Sequence, residues 1–455
     1  MRSFSSPEAA SQEGRALTGK RHASVDTPAA REMLHAMNKR KSSSSSLAIA
    51  GGKPARTKPF PARRHIGKEE WAAVQRVVKG AMKSGGGFDR YGTEDVDLYE
   101  KEFARVCGVR FATAVSSGTA AVHTALSALQ LPPGREIICN TITDPGAVAP
   151  ILWNNCIPVF ADHELDTFQI SAHTIEPLIC EHTGAIIVGH IAGIPADMDR
   201  IMRLARKHRI PVIEDAAQAH GALYKGRIAG SLADISAFSL MSGKHTTAGG
   251  QGGMVLTDNE EWYWNAKRFA DRGKPFNSDC PSILMLGNNY RMTQLQGAIG
   301  RAQLKKMKRI AMRRHQVVSS LRTALAGSRC FRVIWPSYDC RPAWWFVFIG
   351  YEGPWTKREA YEALRAEGIP LGFDYEHIIY RQHWIAERAT FADSEWPWSQ
   401  FPHLPHLDPE SYPHDNIDAL VERYFRLGVT EFWRAADARD VAKALLKVER
   451  AMLEG

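Results

Sequence analysis

Three short stretches hold residues whose types and spacing could do chemistry. "VSSGTAAVHTAL" sets Ser116, Ser117, Gly118 and Thr119 between an apolar run and a helical pattern. Free backbone N–H groups at a helix N-terminus, beside a glycine that permits close approach, can cradle a phosphate. "PVIEDAAQAHGA" ends an apolar run on Glu214 and Asp215, with Gln218 and His220 just beyond. A carboxylate at the mouth of a sheet could bind a metal, orient a histidine or hold a protonated pyridine nitrogen. "FSLMSGKHTTAGGQGGMVLT" sets Lys244 five residues after Ser239, whose hydroxyl could join the phosphate cradle. A buried lysine with a lowered pKa forms Schiff bases, which a solvated one does poorly. Singly, each has a plain structural reading: Ser117 or Asp215 caps a helix, and Lys244 is a solvated loop lysine.

The combination is more specific. A phosphate cradle, an acid at a strand end and a lysine at a later strand end are the three elements that pyridoxal phosphate requires. The phosphate anchors, the carboxylate keeps the ring nitrogen protonated, and the lysine holds the aldehyde.

These stretches must be brought together by the elements around them. Seven apolar runs read as strands: residues 111–117, 136–140, 157–162, 185–191, 211–216, 235–240 and 252–257. Between most of them lie patterns with three- and four-residue apolar spacing, such as "MDRIMRLARKHRI". That alternation predicts an α/β fold, a largely parallel sheet covered by helices, whose ligand crevice lies at the carboxyl ends of the strands. The gap holding Lys244 is too short for a helical crossover, so one of its two flanking strands is expected to run antiparallel. "RAQLKKMKRIAMRRHQVVSSLRTAL" reads as one long amphipathic helix. Beyond it come a strand in "WWFVFIGYEG", a helix at "KREAYEALRAEG", an irregular stretch through "EWPWSQFPHLPHLDP" and a last helix near "ARDVAKALLKVERAM". The expected organisation is a basic, Ser-rich disordered tail (1–46), an extended arm (47–66), a large domain (67–310) and a smaller α+β domain (311–455).

Bulk composition narrows the classes of function. The chain has 455 residues, 24% of them charged, and a formal charge of +9. Residues 1–46 carry eight Lys/Arg against four acids, so much of the excess lies in the tail. No RNP, zinc-finger or helix-turn-helix signature accompanies it, which argues against a nucleic-acid partner. Neither an apolar signal region nor an eighteen-residue apolar run is present, which argues against secretion and membrane spans. The seven scattered cysteines include no C-x-x-C pair, so free thiols in a reducing cytoplasm and no metal site are expected. His123 faces an apolar helical stripe and reads as core. Trp344 and Trp345 read as packing residues of the smaller domain, one of which could line a substrate cleft.

From about Leu47 to Leu304 the chain resembles the sugar aminotransferases of the DegT/DnrJ/EryC1/StrS group, fold-type I pyridoxal-phosphate enzymes. The resemblance rests on "LAIAGGKPARTKPFP", "YEKEFARVCGVRFATAVSSGTAAVHTAL", "VIEDAAQAHGALYKGRIAGSLADISAFSL" and "GNNYRMTQLQGAIGRAQL". It implies a seven-stranded, mostly parallel sheet, with Lys244 as Schiff-base lysine and Asp215 as partner of the pyridine nitrogen. It implies Gln218 against the ring hydroxyl, and Ser117, Gly118, Thr119 and Ser239 at the phosphate. Asn289 matches an asparagine that reaches the cofactor of a neighbouring subunit, implying a homodimer with shared sites. Tyr375 and His377, in "FDYEH", are the candidates for substrate contact. The implied reaction is ping-pong transamination from glutamate or glutamine to a keto-sugar, nucleotide-linked in most relatives. A cyclitol or other carbocyclic ketone is the alternative acceptor, and a non-catalytic cofactor-binding regulator the alternative role. Two departures stand out. Asp144 occupies the position where the family stacks an aromatic on the cofactor ring, and an aspartate cannot supply that contact. The loop "KHTTAGGQGG" is one residue longer than usual and carries Gln251 where a glutamate is common. His245 neighbours the lysine rather than replacing it, unlike in the family's dehydratases.

Overall fold

The computed structural model describes residues 46–454 except 92, 93 and 376. The tail expected over residues 1–46 lies, apart from Ser46, outside the described residues. In the central sheet, seven strands follow one another along the chain: β1 (Phe111–Val115), β2 (Glu136–Asn140), β3 (Ile157–Ala161), β4 (Thr183–Gly189), β5 (Val212–Asp215), β6 (Ile235–Ser239) and β7 (Gly253–Thr257). Their spatial order is β1-β7-β6-β5-β4-β2-β3. Pairings from β3 through to β6 are parallel, while β7 runs antiparallel to both β6 and β1. The short Lys244 loop is the reason: it returns the chain beside β6 without a crossover.

Strand interiors are almost wholly apolar, as expected of a sheet covered on both faces. Helices such as Gly118–Ala128 and Met198–His208 supply the covering layers, and their buried residues join one core with Ile137, Ile186, Val188 and Ile213. A second core surrounds an antiparallel sheet of Phe331–Val333, Phe346–Tyr351, Tyr424–Gly428 and Leu371–Gly372. The arm is fastened to this second core: Leu47 is fully buried in it, and the N–H groups of Ala48 and Ala55 donate to Glu367 at 2.9 and 2.7 Å.

The long helix expected through residues 301–325 is two helices, Gln294–Leu304 and Met307–Ala324, broken at Lys305 and Lys306. The first packs on Lys68–Ser84 and Asp95–Cys107, the second on Ala435–Glu454. The second helix runs from the first core, at Met307 and Ala311, into the second, at Val317, Val318 and Leu321. Ile379, Tyr380, Ile385, Trp398, Leu404 and Tyr412, though C-terminal to the second core's first strands, pack into the first core. No helix among the described residues is long and apolar enough to cross a membrane.

Candidate active site

At the carboxyl ends of β1, β4, β5 and β6 a cleft of about 280 Å³ opens. Ser117, Gly118, Thr119, Asp144, Asp215, Gln218, Ser239 and Lys244 all line it, with His190, Gln251 and Trp345. Strand geometry explains the selection. Neighbouring residues of a strand point to opposite faces, so Asp215 reaches the cleft while Glu214 turns away. Glu214 is fully buried and accepts from the N–H groups of Gly230 and Leu232 and pairs with His190 Nε2 at 2.9 Å.

The putting together of β1, β6 and β7 is tight. A Cβ on Gly118 would stand 2.5 Å from Ser239 Cβ, and one on Gly253 would stand 2.1 Å from the Ser117 carbonyl oxygen. Only glycine fits either place. Ser117 does cap its helix, its Oγ accepting from Ala120 N–H at 3.0 Å. The first N–H groups of a helix have no acceptor within it, so those of Gly118 and Thr119 remain at the cleft wall as donors for an anion. Asp144 likewise caps the helix Pro145–Trp153, accepting from Gly146 N–H at 2.8 Å. Capping and cleft-lining are thus compatible roles of the same residues.

Lys244 is only 7% exposed. Its backbone N–H donates to Met241 O, and its Nζ sits 3.9 Å from the centre of the Trp345 ring rather than against a carboxylate. Burial pushes its pKa below the ordinary lysine value, with the charges of Asp215 and Asp144 opposing that shift. Asp215 moves the other way: burial raises its pKa, while a hydrogen bond from Ala217 N–H at 3.0 Å and the Lys244 charge pull it down. The cleft therefore holds an amine and a carboxyl that burial drives towards their neutral forms.

Gln218 lines the cleft with both ends engaged, accepting from Ala192 N–H at 2.8 Å and donating to the Tyr375 hydroxyl at 3.2 Å. Tyr375 and His377 stand behind that wall. Tyr375 is buried, His377 meets it edge-on at 4.8 Å, and the His377 carbonyl accepts from Thr143 N–H. Neither residue is on the cleft surface. Asn289 is exposed, pairs as a backbone bridge with Asp271, and does not line its own chain's cleft. His123 packs between Phe269, Tyr290 and Trp153, and burial lowers its pKa to about 4, a core histidine. His220 and His245 stack on each other and bond Thr246 and the Ala343 carbonyl, again as buried structural groups.

A set of residues invisible in the local motifs holds the lysine in place. Arg63, from the arm, donates to the carbonyls of Lys244 and His245 at 2.7 and 2.6 Å. The same guanidinium pairs with Glu431 at 2.9 Å, and Glu431 pairs with the buried Arg314 at 2.9 Å. Arg314 in turn donates to the carbonyls of Trp344 and Trp345. Trp345 Nε1–H donates to Gly243 O at 3.2 Å. Lys244 is thus gripped by its backbone from the arm and faced by an aromatic ring from the second core. Trp344, by contrast, is fully buried.

The residues fit pyridoxal phosphate by their chemistry: glycine-enforced closeness at the anion cradle, a buried amine with no carboxylate in contact, and a half-buried carboxyl in the same cleft. Known proteins agree. Residues 65–418 match the model of the DegT/DnrJ/EryC1/StrS aminotransferase family. A GDP-perosamine synthase of Escherichia coli O157:H7 is 35% identical over 323 residues, covering 69% of this chain and 86% of that protein. One from Caulobacter vibrioides is 38% identical over 287 residues, covering 62% of this chain and 76% of that protein. Among solved structures, an aminotransferase from Psychrobacter cryohalolentis superposes with a TM-score of 0.71 at 26% identity, covering 88% of this chain and 100% of that one. By this match and this cleft, the chain belongs to the DegT/DnrJ/EryC1/StrS aminotransferase family and is a pyridoxal-phosphate-dependent aminotransferase.

Proposed function

We propose that this chain moves an amino group from glutamate or glutamine to a nucleotide-linked keto-sugar, in two half-reactions at one cleft. The observation that carries this reading is Lys244, buried without a carboxylate in contact and set in the same cleft as Asp215 and the Gly118–Thr119 cradle. The substrate class follows the two relatives, whose name specifies a GDP-linked sugar product. Bound here, pyridoxal phosphate supplies a carbonyl that takes up amines and a ring that accepts electrons.

The chain's own groups do the rest. The N–H groups of Gly118 and Thr119, with the Ser239 hydroxyl, hold the phosphate. Asp215 would hold the ring nitrogen by charge and hydrogen bond, its carboxyl ionised by that contact. Lys244 Nζ, with its pKa lowered, takes a proton from the donor's α-carbon and returns it on the other side of the exchange. Arg63 fixes the backbone from which that amine swings, and Trp345 shields it from water. Asp144, where an aromatic is usual, offers a carboxylate to hydroxyl groups of the acceptor.

A second copy of the chain completes this reading. Ile283, Leu284 and Leu286 are exposed a few residues before Asn289, and a partner covering them would receive Asn289 at its own cleft. Mixing Lys244→Ala with Asn289→Ala chains should then regenerate one intact site per mixed dimer. Failure to regain activity above either parent counts against the shared site.

The test of the reaction follows the bound cofactor's visible absorbance. Glutamate or glutamine should bleach the yellow holoenzyme, and a keto-sugar nucleotide should restore the colour. Restoration only by a cyclitol ketone would replace the acceptor class. If no amino donor bleached the protein, transamination itself would be wrong.

A further inference from the structure

At the end of the sheet opposite the cleft, three side chains of metal-binding type converge. Glu136 opens β2, Cys180 lies just before β4, and His406 comes from the irregular segment after Trp398. Glu136 Oε2 accepts from His406 Nδ1 at 2.8 Å and from Cys180 Sγ at 3.1 Å. The other carboxylate oxygen accepts from His406 N–H at 3.2 Å. One ligating atom from each residue falls within 4.8 Å of the other two. Ligands of a tetrahedral zinc ion, at about 2.0–2.3 Å from it, stand roughly 3–4 Å apart, so the three need only small rotations to share an ion. Glu136 is fully buried, while Cys180 and His406 are half-buried, which leaves a path to solvent on one side.

Two more imidazoles accompany the cluster. His182 follows Cys180 by two residues and His403 precedes His406 by three, and their rings meet at 5.7 Å. The spacings C-x-H and H-x-x-H, drawn from segments more than 200 residues apart in sequence, therefore face one another across a buried carboxylate.

The chemistry of the trio favours a soft divalent cation over the bare hydrogen bonds. A thiol is a weak donor to a carboxylate, whereas a thiolate is a good zinc ligand. One thiolate and one carboxylate would balance the two charges of a zinc ion, with the imidazole as neutral third ligand. Proton release from Cys180 accompanies binding.

We propose that Glu136, Cys180 and His406 form a zinc-type site, its fourth position filled by water or by His182 or His403, that clamps the segment around His406 to the sheet. That segment packs on the first core through Trp398, Leu404 and Tyr412 with almost no regular secondary structure. A metal clamp is the kind of restraint such a segment lacks.

The experiment uses full-length holoenzyme, freed of metal by chelation, equilibrated with one equivalent of zinc and passed through gel filtration. About one zinc per chain should remain, with a sulfur neighbour near 2.3 Å in X-ray absorption. Cobalt in its place should give absorption bands at wavelengths beyond the cofactor's. Cys180→Ser should remove the sulfur neighbour and the cobalt bands, and Cys180→Ser with His406→Asn should lower retained metal at least tenfold, both leaving transamination unchanged. Wild-type protein that keeps no zinc, or keeps it without a sulfur neighbour, overturns the proposal, and that arm needs no variant to fold.

Discussion

Lys267, half-buried, sets its Nζ 2.6 Å from Glu100 Oε2, whereas the more deeply buried Lys244 sets its own 3.9 Å from the centre of an indole ring. Burial lowers the pKa of both amines. Their surroundings differ. Glu100 also takes Arg90 at 3.0 Å and the N–H of Ala114 at 2.7 Å, and Lys267 and Arg90 keep it ionised against its burial. The cavity beside Lys267, about 420 Å³, is larger than the cleft, but its charged lining is matched pair by pair, with Arg291 on Asp271 at 2.6 Å. Cavity size therefore does not mark the lysine proposed to react. It is marked by the missing contact carboxylate, by acids held near enough to steer it, and by donors for an anion across the cleft.

The sharpest way to break this comparison is to remove each amine in turn. Lys244→Ala should lose transamination by on the order of 10³-fold or more, the scale of a lost general base. It should also fail to form the visible imine band while unfolding at nearly the wild-type urea concentration. Lys267→Met should do the reverse. It leaves Glu100 buried with one partner fewer, which costs about 3 kcal/mol of stability, and turnover per folded molecule should stay within about twofold. A Lys267→Met enzyme that folded normally but lost its imine band would erase the distinction.

Arg63→Ala is the next test, because it separates holding the lysine from being it. The side chain touches only carbonyls of the Lys244 loop and Glu431 at this site. Displacement of a reacting group by about 1 Å can cost up to about 100-fold, so kcat should fall by roughly 10-fold with the donor KM little changed. Arg63→Lys, which cannot bridge two carbonyls and a carboxylate with one planar fork, should recover part of the rate. A variant in which KM alone rose would point to substrate binding instead.

The same contrast explains what was legible in the sequence. Ser117, Gly118, Asp215, Ser239 and Lys244 each stand at the end of an apolar run, so strand topology alone converts their order into a shared rim. The seven strands and the antiparallel turn about Lys244 were readable for the same reason: they rest on local pattern and gap length. Arg63 was not, since its bond to Lys244 spans 181 residues of chain and an arginine in an extended arm has no periodicity to betray it. Glu431 and Arg314 are likewise ordinary charges until the second core folds them together. The break at Lys305 is hidden because no Gly or Pro marks it, and only the different helices that the two halves pack on reveal it. Residues 395–409 are irregular on sequence pattern alone, but nothing in their Pro- and Trp-rich composition says which core they cover.

The smallest expected effect is on pH dependence in the cofactor-free protein. The folded pKa of Lys244 lies below the ordinary lysine value of 10.5. Between the two values the unfolded chain binds the extra proton, so stability rises with pH across that window. Below the folded pKa the full penalty of a buried ammonium is present, at about 1.4 kcal/mol per unit of lowering. Lys267 is shifted the same way and adds a rise of its own. Asp215 acts with opposite sign: its folded pKa is raised above 3.8, so stability falls as pH climbs from that value through the folded one. Urea midpoints measured from pH 7 to 10.5 should rise less steeply for Lys244→Met than for wild type, and from pH 3.5 to 6 should fall less for Asp215→Asn. Both variants should be more stable than wild type near pH 7, because each removes a charge that burial disfavours by more than its neighbours in the chain offset. An unchanged slope in Lys244→Met would mean that burial leaves the Lys244 amine at the ordinary lysine value and that Trp345 offsets the lost hydration.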